Sequence, residues 1–169
     1  MSANRNKPEK MLSPIFCWDI YAMHLCEKKE MAKKSNDLYA LQKLHRQFNW
    51  QTELESLLVN PYEAIVVTDT RQIILWVNEG FVKMTDYPAY TAIGKTPGFL
   101  QGKNTSTETK TRIKQKLSEH IPFSEDVVNY RKNGEEYLCH VEIHPFFNDE
   151  NQLTHFLALE REIQLQEKI

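Results

Sequence analysis

A chain of 169 residues, 41% of them hydrophobic and 11% aromatic, can fill one core and leave an extension over, which excludes simple disorder. A formal net charge of −2 gives no general electrostatic reason to expect nucleic acid or an anionic membrane as partner. Cys17, Cys26 and Cys139 are widely spaced and odd in number, without a Cys-x-x-Cys pair or a disulfide framework. No apolar run nears the ~20 residues that span a bilayer, and the polar first residues carry no secretory signal. A soluble cytoplasmic protein is expected.

Residues 1–12 read as a disordered tail, and residues 13–60 as a helical N-terminal extension. Ser13 is placed to cap a helix and Pro14 suits its first turn. Ile15, Phe16, Trp18, Ile20, Tyr21 and Leu25 then put apolar groups around much of a short helix. Such a helix is expected to be buried against the domain or against a second copy, which makes these six residues the expected homodimer interface. Residues 28–34 read as a charged continuation or linker. Ser35 or Asn36 is placed to cap a second helix carrying Leu38, Leu41, Leu44, His45 and Phe48. A third, with Leu54, Leu57 and Leu58, ends before Pro61.

Residues 61–164 form the expected globular unit. The β-branched run 64–68 predicts a strand, and 73–77 its hairpin partner across a polar turn. Asn78 is placed to cap a helix holding Phe81, Val82 and Met84. A further single turn covers 90–93. Gly94, Pro97, Gly98 and Gly102 mark a tightly shaped turn region around the apolar pair Phe99 and Leu100. A mostly exposed helix follows over 105–117. Three more strands are predicted, over 123–132, 136–147 and 153–163, the first two joined through Asn133-Gly134. The fold class is α+β: a five-stranded antiparallel sheet with short helices on one face, preceded by the helical extension and followed by a tail at 165–169.

Two strands, a run of short helices and three strands resemble the order of a PAS domain. The segment Gly94-Lys95-Thr96-Pro97-Gly98-Phe99-Leu100-Gln101 resembles the Gly-x-Asn-Cys-Arg-Phe-Leu-Gln segment of the LOV photosensor branch of that family. Asn129-Tyr130-Arg131-Lys132-Asn133-Gly134 resembles its Asn-Tyr-Arg-Lys-Asp-Gly hairpin, and the last strand follows its His-Phe…[Asp/Glu]-[Ile/Val] pattern. The resemblance implies a sensor or interaction module. In LOV domains a cysteine thiol attacks the flavin; Pro97 stands in its place. Of the three side-chain amides that read the flavin ring, Asn129 matches the first, while Cys139 and Glu160 replace the others. Gly98 replaces an arginine that contacts the flavin phosphate, and Lys114 only partly keeps a second basic position.

These departures disfavour flavin, and the helix over 105–117 lacks the histidine through which some PAS relatives hold haem, so no cofactor is expected. The candidate ligand pocket comprises Thr68, Phe81, Phe99, Leu100, Gln101, Asn129, Cys139 and Glu160. His140, Glu142 and His144 share one face of a predicted strand, and surface decoration is the preferred reading over a metal site. No nucleophile–base constellation or phosphate loop is present, so neither an enzyme nor a metal centre is expected. No kinase, cyclase or DNA-binding segment is expected after Ile163. Output is therefore expected through homodimerisation or a signalling protein in trans, with no nucleic acid or membrane partner.

Overall fold

The computed structural model describes residues 14–164, with side chains from Trp18 onward. Both expected tails, the Ser13 cap and the side chains of Ile15 and Phe16 lie outside the described residues.

The sheet is five-stranded, with β1 Ala64–Asp69, β2 Ile74–Val77, β3 Phe123–Tyr130, β4 Glu136–Phe147 and β5 Leu153–Ile163 in the order β2-β1-β5-β4-β3. Every neighbouring pair is antiparallel. The α+β architecture implied by the resemblance is therefore present. The short helices α3 Glu79–Thr85 and α4 Ala89–Ala92, a 3₁₀ turn Pro97–Leu100 and α5 Thr107–Glu119 connect β2 to β3.

Helix α1 runs unbroken over Pro14–Phe48, and α2, Leu54–Leu57, follows it. Of the two readings of residues 28–34, the charged continuation is the one present, and the second helix expected to start at Ser35 or Asn36 is part of α1. Residues 27–34 are Glu, Lys, Met and Ala, all strong helix formers, with no glycine or proline to interrupt the ladder. Ser35 and Asn36 therefore lie inside the helix instead of capping one. The helix ends at Asn49, which adopts φ of 52°, and Trp50 N donates back to His45 O at 3.2 Å.

Strand alternation gives the sheet two buried faces. On the outer face, Ile65 and Val67 of β1, Phe146 of β4, and Leu157 and Leu159 of β5 pack against Leu41, Trp50, Leu54 and Leu57. On the inner face, Ala64 and Val66 join Phe81, Leu100, Val127, Cys139 and Val141. Only the C-terminal half of α1 takes part in the outer core. From Trp18 to Ala32 it is exposed on every side, so this half is not buried against its own sheet.

Two glycines of the central turn answer different needs. Gly94 has φ of +85°, whereas a Cβ on Gly102 would meet the Tyr130 ring at 2.3 Å.

Candidate functional site

The inner face is not filled completely. A cavity of about 370 Å³ lies between β1, β3, β4 and β5 on one side and the 3₁₀ turn and α5 on the other. Its floor is Val66, Val127, Val141 and Ala158, and Ile113 and Leu117 of α5 form its roof. Lys110 and Lys114, on the same helix, stand in its wall. The turn reaches it because Ser106 caps α5 from the side, accepting from Thr109 N at 3.2 Å, while Thr105 Oγ1 donates to Val128 O at 2.6 Å.

Of the predicted pocket residues, Thr68, Leu100, Gln101, Asn129 and Glu160 line the cavity, together with Pro97 and Gly98. The other three lie outside that lining. Phe81 is fully buried in the inner core and Cys139 beside it on β4. Phe99 packs edge-on against Tyr87, with ring centroids 5.1 Å apart, under the Lys95 ammonium. The reason is geometric: in the 3₁₀ turn, adjacent side chains point in different directions, so Leu100 enters the cavity and Phe99 turns to Tyr87 in the connection between α3 and α4.

The electrostatics of this face are unusual. Glu160 is only 6% exposed, and its Oε2 has no hydrogen-bond partner among the described residues. Burial pushes its carboxyl up to about 7. Tyr137 Oη is likewise buried and without a well-formed hydrogen bond among the described residues, the Asn129 side chain lying beside it. Burial raises its pKa, with the Glu160 carboxyl adding to the shift. The Cys139 thiol is raised well above its ordinary value by the same two causes, in the same order. An unpartnered buried polar group costs about 1–3 kcal/mol, so two on one face mark a surface shaped for something other than its own packing.

The predicted histidine row lies on the opposite face of β4. There His140 Nδ1 is 2.6 Å from Asp126 Oδ1, and His144 Nε2 is 2.8 Å from Glu142 Oε1, as two separate pairs.

Sequence reasoning missed a third feature, a buried polar link between α1 and the domain. Asn78 caps α3 as expected, accepting from Phe81 N at 3.0 Å, and its Oδ1 also accepts from Ile65 N at 2.9 Å. Its amide nitrogen then donates to Asp37 of α1 at 2.9 Å, and Tyr62 Oη donates to the same carboxylate oxygen at 3.1 Å. Lys33, one turn earlier, donates to Glu63 O at 2.7 Å. The only trace in sequence is a lone acid, Asp37, beside the apolar stripe of Leu38, Leu41 and Leu44.

The PAS domain model matches residues 63–164, more than half of the chain. The chain belongs to the PAS domain family. Among curated relatives, this PAS domain is 31% identical over 100 residues to a nitrogen fixation regulatory protein of Klebsiella oxytoca, covering 59% of the chain and 20% of that protein. It is 31% identical over 103 residues to a blue-light photoreceptor of Listeria innocua, covering 59% and 40%. It is also 31% identical over 93 residues to a blue-light-activated histidine kinase of Brucella ovis, covering 55% and 19%. The chain thus spans less than half the length of these relatives.

Solved LOV domains share the fold. That of Aureochrome1, in its light state, superposes with a TM-score of 0.60 at 18% identity, covering 67% of this chain and 90% of the other. A LOV domain from a blue-light activated histidine kinase of Erythrobacter litoralis gives 0.57 at 23% identity, covering 63% and 99%. A third solved structure, "Flavin Analogue Sheds Light on Light-Oxygen-Voltage Domain Mechanism", gives 0.61 at 20%, covering 68% and 87%. These findings correct the expectation of a domain without a cofactor: blue-light photoreceptors and LOV domains point to a flavin. The replacements at Pro97, Gly98 and Glu160, taken one by one, do not reveal the shape of the cavity they line. Among the described residues, no helix is long and apolar enough to cross a membrane.

Proposed function

We propose that this chain is a sensory PAS domain that holds a flavin-type ring non-covalently in the inner cavity and passes its state to helix α1. The observation that carries the reading is the buried carboxyl of Glu160, whose Oε2 has no partner among the described residues, facing a cavity of about 370 Å³. Ligand pockets of this kind are mostly apolar, with a few convergent polar groups. The cavity fits that description, and its residues fit a flavin. Asn129, Thr68 and Glu160 supply polar contacts for the ring, Gln101 stands at the turn, and Lys110 and Lys114 suit an anionic tail. A bound flavin supplies absorption of blue light and electron-transfer chemistry. The protein supplies shape, hydrogen bonding and shielding from water. Pro97 offers no nucleophile, so the signal would arise from the ring's binding or electronic state.

A short path leads from the cavity to α1. The backbone carbonyl of Glu160 accepts from Glu63 N at 2.8 Å, and the Glu63 carbonyl accepts from Lys33 at 2.7 Å. Movement of β5 at Glu160 would thereby reach the helix at the place where Asp37 anchors it. Beyond Lys33 the helix projects, with Trp18 74% and Ile20 61% exposed. We take this arm as the output surface, pairing with a second copy through Trp18, Ile20, Tyr21 and Leu25, in a cytoplasmic protein. No reaction is assigned to the chain itself.

Absorption spectroscopy and mass spectrometry of the protein purified without denaturation, with riboflavin supplied during expression, test the ligand. A flavin band is expected; a colourless protein that also fails to take up added riboflavin overturns the reading. Light scattering of the full chain and of a Trp18→Glu/Leu25→Glu variant tests the arm. A dimer that becomes a monomer is expected, and a monomeric wild type overturns the pairing.

A further inference from the structure

The reading of the cavity as a flavin site can be taken further at one residue. Glu160 lies opposite Ala64 of β1 and Val141 of β4. The groups around it can be named from each element. From β4 come Tyr137 and Cys139, both neutral and both raised by burial. From β3 comes the uncharged amide of Asn129, and from β1 the Thr68 hydroxyl. Gln101, Lys110 and Lys114 line the same cavity from the turn and α5. Glu63, before β1, meets Glu160 through the backbone. Among the described residues, no cation forms an ion pair with Glu160; Arg161, next to it on β5, is exposed and pairs in register with His140 on the opposite face.

An isolated carboxylate in such a place is expensive, whereas the neutral acid is tolerated. The two forms also differ in what they recognise. A carboxylic acid donates one O–H, while a carboxylate only accepts. We propose that Glu160 is a specificity-determining contact of the cavity and acts as a protonated donor to an acceptor atom of the ligand's ring, so that binding is linked to retention of one proton. A ring carbonyl or unprotonated ring nitrogen facing Glu160 takes the O–H and holds the carboxyl in its neutral form. A ligand that presents an N–H at the same point would be received by the ionised form, and binding would release that proton instead. One side chain would thus discriminate between ligand forms that differ by a single hydrogen.

The test uses riboflavin and the full chain. Calorimetric titration at about pH 8, in buffers of different ionisation enthalpy, counts the protons exchanged on binding, and needs no variant. Uptake approaching one proton per riboflavin is expected. Wild-type affinity should fall by about tenfold for each pH unit above the carboxyl's pKa, the slope of a single linked proton. In Glu160→Gln the amide donates at every pH, so its affinity should stay flat between about pH 6 and 9. Binding by the wild type without proton uptake, or the same slope in Glu160→Gln, overturns this inference and leaves the flavin reading standing. No riboflavin bound by either protein at any pH overturns the flavin reading and this inference with it.

Discussion

The outer and inner faces of the sheet are built from alternate residues of the same strands, yet they treat polar groups in opposite ways. Under α1, Asp37 receives Tyr62 and Asn78, and Trp50 Nε1 donates to His155 Nδ1 at 3.1 Å. Across the sheet, Tyr137 Oη and Glu160 Oε2 make no well-formed hydrogen bond among the described residues. The outer face is closed by aromatic contacts, with Trp50 edge-on to Phe146 at 4.7 Å, while the inner face keeps a cavity. Since both faces draw on β1, β4 and β5, the difference lies in what covers them. A helix laid on the sheet satisfies each buried group. A turn and a short helix arched over it leave room for a ligand. The outer face thus supplies stability on which the inner face's unmet groups can be carried.

The largest effect should come from breaking the closed face. Trp50→Ala removes a side chain 3% exposed at the centre of the aromatic cluster and frees His155. A loss of about 3–5 kcal/mol in urea unfolding is expected. Ile113→Ala, in the roof of the cavity, should cost less than about 2 kcal/mol, since its surroundings are already open on one side. Equal losses would erase the contrast between the faces.

The inner face should instead reveal itself through pH. The folded pKa of Glu160, about 7, lies above its ordinary 4.5. Between these values the folded state binds more protons than the unfolded one, so stability falls as pH rises through the window and levels off above it. Glu160→Gln removes this slope. Without ligand, the variant should exceed the wild type by up to about 3 kcal/mol at pH 8 and differ little at pH 4. An identical difference at both ends of the range would show that burial does not raise the Glu160 carboxyl in solution.

Much of the fold was legible because it depends on local signals. The β-branched run at Ile65 to Thr68, the Asn-Gly hairpin at Asn133 and the cap at Asn78 each specify backbone geometry within a few residues. The unbroken course of α1 was less visible. The charged run at Lys28 and Lys29 lacks an apolar stripe but has strong helix propensity, and periodicity alone cannot weigh one against the other. The cavity was only half legible. Glu160 and Asn129 stand out as polar residues on apolar strands, whereas the direction of Phe99 depends on the 3₁₀ turn. The volume left over depends on how α5 sits above the sheet. The link through Asp37 was hidden for a related reason: its partners Tyr62 and Asn78 come from segments 25 and 41 residues away.

That link gives the next effect. Asp37→Ala strands the Tyr62 hydroxyl and the Asn78 amide in a buried place, with an expected loss of about 1–3 kcal/mol. If α1 is the output of the domain, the variant should also expose amides around Lys33 to faster hydrogen exchange while strands β3 and β4 keep their protection. Uniform acceleration throughout the chain would mean that the helix and the sheet open as one unit, with no separable joint between them.

The smallest effect should be found at the end of α1. Trp50 Nε1 donates to His155 Nδ1, so that nitrogen must be unprotonated, and burial lowers the His155 pKa while Asp69 opposes the shift. The sign follows from proton counts. Between the lowered folded value and the ordinary 6.5, the unfolded state binds more protons, so stability rises with pH through that window and is lost on acidification. This slope runs against that of Glu160 and is best read in a Glu160→Gln background. There, Trp50→Phe keeps the ring packing but loses the donor, with an expected cost of about 1 kcal/mol near neutral pH. Adding His155→Gln to the same background should flatten the acid limb, because the amide oxygen can accept from Trp50 without titrating. If the limb persists unchanged in that protein, another histidine carries it, and the closed face holds no proton-sensitive contact at the root of the helix.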